Sequence, residues 1–525
     1  MTERRWTRKR IVSASFVLIL AIFFLLGALK LLKRKDIDDL YGAYPDEADL
    51  KEPALVDVNA PKPNVIIVYL DDLGYGDLGC FGSKAIQTPH IDKMAAEGAM
   101  FTNYHSVASV CAPSRAGLLT GRYPFRTGVI GNPYPADEPF VNKAQKKAAN
   151  LLLEMGVADL DEAYVAEGLS QKEITIAKAL KAAGYRTKMI GKWHLGDFGK
   201  KEYYNPVNYG FDSYFGVPYS NDMIPYPLYR NKEEIIANVG GEAQAMLTGL
   251  FTDEAIEFIG KSKEAPFFLY LAHPFPHQPL YASEDFQLVS KGGLYGDVVE
   301  ELDWNMGRIL DFLEENGLDE DTLIVLTSDN GPWFEGSAGG LRGRKGEVYS
   351  GGFRVPFIAR YPGKIPGGLV MDTAIASIDL FPTILSLAGV GIPEDRIIDG
   401  KNIFDNLAGA SAKSPHDALY FYHYAKLQGI LSDGFKYVER MNRYTWPVPL
   451  TTAYIPMEVF QAKIALGDIF PLLYDMALDP GEAYNVIQTY PDIAEGHARM
   501  MEEWEAHVAE NPRGFAAAAQ NRAVE

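Results

Sequence analysis

Two runs decide the fold: NVIIVYL at 64–70 and TLIVLT at 322–327. Both are short, rich in β-branched residues and almost without alternation, the pattern of strands buried on both faces of a parallel sheet. The first ends in Asp71 and Asp72, the second in Ser328, Asp329 and Asn330. In an open parallel sheet the carboxyl ends of the strands share one edge, where such folds bind ligands. Two strands far apart in sequence therefore bring three carboxylates and an amide to one crevice, and charges of one sign gathered there call for a cation. Hard oxygen donors suit Ca²⁺, and less well Mg²⁺; the set offers none of the thiolates or imidazoles that zinc prefers. Alone, the Asp71-Asp72 pair reads better as a solvated turn, and it is the second strand that favours convergence.

Two further runs fit the same scheme. RTKMI at 186–190 precedes Lys192 and His194, and PFFLYL at 266–271 precedes His273 and His277. The amphipathic segment 174–183 supplies a crossover helix before the former. Taken singly, each histidine reads more often as a satisfied structural residue than as a catalyst. Near Ser414 the texture changes to short aromatic-rich runs at 419–424, 429–431, 435–439 and 473–475, then a helical segment at 493–510. The expected fold is α/β: a large, mostly parallel central sheet flanked by helices over 64–413, and a small antiparallel sheet with a helix over 414–525.

The chain has 525 residues, 47% hydrophobic and 23% charged, which fits a large globular domain with a smaller companion and neither a disordered nor a polytopic membrane chain. Its formal charge of −19 argues against nucleic acid as a partner, because phosphate backbones need a basic footprint. A small anion remains admissible: screening over roughly 8 Å lets a cationic pocket operate inside an acidic protein. Such a site must carry its own positive charge. With only Cys80 and Cys111 present, at most one disulfide can form, and none if either residue does chemistry.

Residues 11–29, IVSASFVLILAIFFLLGAL, form an uncharged apolar run of about 19 residues, enough to cross roughly 30 Å of hydrocarbon as a helix. Basic residues flank it on both sides and no small-x-small cleavage site follows. The expectation is an uncleaved membrane anchor over 1–35 with its amino end in the cytoplasm, a linker over 36–63, and the folded part facing outward, periplasmic or extracellular. A cleaved signal peptide is the alternative.

Cys111-Ala112-Pro113-Ser114-Arg115 leads into Ala116 to Leu119, Gly121 and Arg122. Proline is tolerated in a first helical turn and glycine ends helices. The cysteine is thus expected just ahead of a helix amino terminus, where backbone N–H groups attract anions. A thiol there reads as a covalent nucleophile or, equally, as an apolar filler. Cys-x-Pro-Ser-Arg followed by Leu-Thr-Gly-Arg resembles the signature of type I sulfatases of the alkaline phosphatase superfamily. The likeness continues in Asp-Asp-Leu-Gly-Tyr-Gly-Asp at 71–77, Gly-Lys-Trp-His-Leu-Gly at 191–196 and Ser-Asp-Asn-Gly-Pro at 328–332. It is nearest to the arylsulfatase A and N-acetylgalactosamine-6-sulfatase branch.

The resemblance implies a sulfuric ester hydrolase acting on a sulfated small molecule or sulfated glycan. It implies a Cys111 oxidised by a separate maturation enzyme to formylglycine (3-oxoalanine), whose hydrate attacks sulfur and then helps expel sulfate. By motif, Asp71, Asp72, Asp329, Asn330 and the matured Cys111 would bind calcium. Arg115 would hold the hydrate in place and His194 would orient it. Lys192 and Lys345 would bind sulfate oxygens, His277 would bind sulfate and assist the leaving group, and Ser220 would contact substrate. Lys345 also reads as part of a solvated basic cluster with Arg342 and Arg344. The insertion at 132–168, with its Ala/Lys/Leu-rich helix candidate, falls where substrate-shaping segments vary. A phosphodiester or phosphonate monoester hydrolase of the same superfamily is the alternative enzyme, and a non-catalytic receptor for sulfated glycans the alternative class.

Overall fold

The computed structural model describes residues 38, 41–47, 50–135, 167–441 and 470–516. The apolar run at 11–29, the helix candidate in the 132–168 insertion and the tail beyond 516 lie outside the described residues. Among those described, no helix is long and apolar enough to cross a membrane.

The strands in chain order are β1 (Asn64–Leu70), β2 (Ala99–Phe101), β3 (Tyr104–His105), β4 (Arg186–Lys192), β5 (Ser213–Val217), β6 (Leu228–Arg230), β7 (Glu233–Ile236) and β8 (Phe267–Ala272). They continue with β9 (Thr322–Ser328), β10 (Phe357–Arg360), β11 (Leu369–Met371), β12 (Ile375–Ala376), β13 (Leu419–His423), β14 (Lys426–Ser432), β15 (Phe435–Val438) and β16 (Leu472–Asp475). The large sheet runs β11-β2-β10-β9-β1-β8-β4-β5-β6-β7. Its five central strands, β9 to β5, are parallel throughout. Parallel order is confined to that centre and the outermost β11–β2 pair: β10 runs antiparallel to both neighbours, and β6 and β7 fold back antiparallel at the other edge.

Every residue of β1 is buried because helices cover both faces. Val65, Ile67 and Tyr69 face one layer, built with α2 (Cys111–Thr120), α3 (Ile176–Ala182) and α6 (Leu380–Leu387). Ile66, Val68 and Leu70 face the other, built with α1 (Pro89–Ala96), α4 (Leu247–Lys261) and α5 (Gly293–Glu315). That two-sided burial explains the missing alternation in the sequence. The small sheet, β13-β14-β15-β16, is wholly antiparallel and packs against α7 (Pro491–Glu510) through Ala494 and Met501.

One glycine is indispensable to the site's frame. Gly191, next to Lys192 at the end of β4, has φ of 101°, and a Cβ there would lie 2.0 Å from the Ala272 carbonyl oxygen of β8. Gly191→Ala therefore combines a left-handed backbone with a backbone clash, and is expected to cost about 3 kcal/mol. Chemical denaturation should show it as a lowered midpoint.

Candidate active site

Asp71 and Asp72 leave β1 where Asp329 and Asn330 leave β9, because the two strands pair in register from Asn64↔Thr322 to Leu70↔Ser328. The turns then lock together. The Asp329 amide donates to the Leu70 carbonyl at 3.0 Å, and the amides of Asp72 and Leu73 donate to Asp329 Oδ1 at 3.2 Å and Ser328 Oγ at 2.9 Å. Asp72 takes φ of 63° to make this bend. All four side chains are buried. One oxygen each from Asp71, Asp72 and Asp329, and Cys111 Sγ, lie within 4.8 Å of one another.

Cys111 arrives from another direction as the first residue of α2, with extended Val110 as its cap. The helix thus starts at the cysteine itself, whereas the sequence placed it one step outside; a buried proline in the first turn, Pro113, permits that start. Burial, then the neighbouring Asp71 carboxylate, push the thiol well above its ordinary range. An unmodified Cys111 is therefore held as the weakly nucleophilic thiol.

Cations surround the carboxylates. Arg115 donates from Nε and Nη2 to Asp329 Oδ2 at 3.1 and 2.8 Å, and from Nη1 to the Lys192 carbonyl at 3.0 Å. Lys192 Nζ contacts Asp71 Oδ2 and lies 3.1 Å from Ser220 Oγ. Lys345 Nζ donates to Asp72 Oδ2 at 2.8 Å, and His277 Nε2 lies 3.6 Å from the same oxygen. Lys345 is 2% exposed, which removes it from the solvated basic cluster.

Burial alone would raise Asp71, but Lys192, His277 and Arg115 outweigh it and hold the carboxyl well below its usual range. Asp329 goes the other way: burial and repulsion by Asp71 push it up to about 7 against the pull of Arg115 and Lys192. His194 is fully buried with φ of 57°, and neither ring nitrogen has a hydrogen-bond partner. Burial and the adjacent cations Lys192 and Arg115 keep its ring neutral. His273 lies apart, against Phe251, and burial drives it down to about 3.

The donor set fits a hard divalent cation. Asn330 Oδ1 is buried without a hydrogen-bond partner, and Asp71 Oδ1 has only the Arg115 guanidinium at 3.5 Å, a condition that a bound cation relieves. The three carboxylates are matched by Arg115, Lys192 and Lys345, so a bound dication tips the pocket positive, as binding an anion requires.

Comparison with known proteins gives the family. Residues 63–390 match the Sulfatase family, and residues 344–509 match the N-sulphoglucosamine sulphohydrolase C-terminal family. This chain belongs to the sulfatase family. It is a sulfuric ester hydrolase by reaction class, the expectation its motifs carried. The sulfatase is 37% identical over 457 residues to N-acetylgalactosamine-6-sulfatase of Canis lupus familiaris, covering 81% of this chain and 82% of that one. It is 34% identical over 499 residues to an arylsulfatase of Hemicentrotus pulcherrimus, covering 88% and 85%. Among solved structures it resembles Ps i-CgsB in complex with k-i-k-neocarrahexaose, with a TM-score of 0.67, 27% identity and coverage of 84% and 92%.

The eleven side chains given site roles from the sequence lie in this sulfatase at the carboxyl edge of the parallel strands or on the elements packed over it, whereas His273 lies apart. Sequence reasoning missed Asn221, which sits beside Ser220 after β5 and bonds to His277. It also missed Asn132, whose Oδ1 accepts from the Ala112 amide at 3.0 Å in the first turn of α2. No linear pattern marks either contact.

Proposed function

We propose that this sulfatase releases inorganic sulfate from a sulfated carbohydrate, using formylglycine made from Cys111 and a bound calcium ion. The observation that carries it is the meeting of Cys111 Sγ with the oxygens of Asp71, Asp72 and Asp329. Asn330 completes an oxygen-rich ligand set for calcium, and the matured Cys111 adds to it. When bound, the cation supplies charge stabilisation for the sulfate oxygens and for the nucleophile. A formylglycine hydrate would supply the attacking oxygen and a second hydroxyl with which to release sulfate.

The chain's own residues do the rest. Lys192 and Lys345 hold sulfate oxygens, Ser220 contacts substrate, and Arg115 fixes the residue at 111. Neutral His194 orients it, and His277 protonates the departing oxygen. A carbohydrate substrate is supported by relatives whose names specify N-acetylgalactosamine 6-sulfate and by a structural neighbour holding a neocarrahexaose.

Sulfate release from p-nitrophenyl sulfate and from N-acetylgalactosamine 6-sulfate tests the reading. Faster turnover of matched phosphate diesters or phosphonate monoesters would favour the alternative chemistry. Lys345→Ala is expected to lose on the order of 3 kcal/mol of transition-state stabilisation, the usual effect of removing one preorganised charge-stabilising donor. A variant within twofold of wild-type turnover would remove Lys345 from the sulfate site.

We also propose that residues 11–29 anchor the enzyme in a membrane with residues 64–413 and 414–525 outward. Recovery of the full chain in the soluble fraction after salt and carbonate washes would count against the anchor.

A further inference from the structure

The geometry assigns Asn221 as the residue that sets the tautomer of His277 and aims its Nε2 at the reacting centre. The inference rests on the proposed role of His277 as proton donor to the leaving group, and it deepens that role. Asn221 is 3% exposed and lies in the loop after β5. Its Nδ2 donates to two carbonyl oxygens, of His277 at 3.2 Å and Pro279 at 2.8 Å. That consumes the donor end of the amide and leaves Oδ1 for the ring, 2.9 Å from His277 Nδ1. The Gln278 carbonyl meets the same nitrogen.

Neither oxygen can donate, so both favour the tautomer with its hydrogen on Nδ1, while the Ser220 hydroxyl, 3.4 Å from Nδ1 and 3.3 Å from Nε2, can serve either nitrogen. That leaves Nε2 turned toward the reacting centre, 3.6 Å from Asp72 Oδ2. Which imidazole nitrogen works is set by the bond the other one makes. Gln244 extends the chain of positioning, its Nε2 donating to the Asn221 carbonyl at 3.1 Å. Asn221 thus clamps the 277–279 backbone and the ring together, so that the imidazole cannot flip within its pocket.

In the step concerned, sulfur leaves the ester oxygen for the attacking oxygen and the bonding pair stays on the ester oxygen. That oxygen takes the Nε2 proton, and the ring remains as the neutral Nδ1–H tautomer. Help of this kind matters little for a leaving group that departs easily and much for one that does not.

The test compares wild type, Asn221→Ala, Asn221→Leu, His277→Ala and the Asn221→Ala/His277→Ala double variant on p-nitrophenyl sulfate and unsubstituted phenyl sulfate. Leucine keeps the branched shape of asparagine without its acceptor, so it stands in if alanine collapses the loop. Both Asn221 variants are expected to lose about threefold in kcat on the activated ester and about 30-fold on phenyl sulfate, within the range for removing a partner that orients a working histidine. The double variant should be no slower than His277→Ala. Equal losses on both esters, or a double variant slower by the product of the single effects, would overturn the assignment of Asn221. If His277→Ala itself loses equally on both esters, the failure lies in the underlying role of His277, and the inference falls with it.

Discussion

Cys111→Ala is expected to lower kcat for sulfate release by about 10⁵-fold or more while leaving the protein folded, the scale seen when a covalent nucleophile is deleted from an intact site. Two features make the loss so large. The residue is 1% exposed among three carboxylates, so no bulk water can enter on the same line of attack without displacing the protein's own groups. The environment also holds a plain thiol in its neutral form, which leaves an unmodified cysteine a weak nucleophile. Removing one buried sulfur atom costs about 1 kcal/mol of stability, so the unfolding midpoint should move little and the kinetic loss can be read as chemistry. Mass spectrometry across the 111-bearing peptide belongs beside the kinetics. Active wild-type enzyme is expected to carry the aldehyde, and active enzyme with only unmodified cysteine would sink the formylglycine mechanism. A receptor for sulfated glycans would show no difference in turnover between wild type and the Cys111→Ala variant, since neither would turn over.

The parallel centre of the sheet was legible because burial on both faces leaves its mark on composition. NVIIVYL and TLIVLT could not serve as half-exposed strands, and β1 and β9 take those residues, β9 with Ser328 added. The flanks were not legible. β2 and β11 span three residues each and β10 four, too short for a period, and their pairing is set by contacts far along the chain. β5, the fifth central parallel strand, reads SYFGV, with a glycine where β4 approaches so closely that a Cβ on Gly216 would lie 2.0 Å from the Gly191 carbonyl. The site divides in the same way. Residues at strand ends, such as Asp71 and Asp329, followed from the rule of the carboxyl edge, whereas the roles of Arg115, Lys345 and His277 needed the family likeness. Asn221 needed the folded arrangement, because its partner lies 56 residues away and an asparagine after a strand reads as an ordinary turn.

Removing divalent cations is expected to abolish sulfate release and to lower the thermal midpoint, with Ca²⁺ restoring both more effectively than Mg²⁺. Mg²⁺ demands a tighter, more regular octahedron than three carboxylates, an amide and one further ligand from α2 readily supply. Calcium at a hundredfold excess over its dissociation constant adds about 2.7 kcal/mol to the folded state. The metal-free protein should also respond to pH in a defined direction. Without the cation, burial and Asp71 push Asp329 up to about 7, above the roughly 3.9 of an unfolded aspartate. Between those values the folded state binds the extra proton, so metal-free stability falls as pH rises from about 4 through about 7. With the cation bound, the carboxylate is held ionised and that loss disappears. The gap between the thermal midpoints of loaded and stripped protein should therefore widen between about pH 5 and about pH 8. Asp329→Asn, which removes the charge and keeps the volume, should narrow the gap at the upper pH and weaken calcium binding. A stripped enzyme with undiminished turnover, or a gap that does not change with pH, would mean that Arg115, Lys192 and Lys345 satisfy the carboxylates by themselves and that the cluster is a salt-bridged anchor for α2 instead of a metal centre.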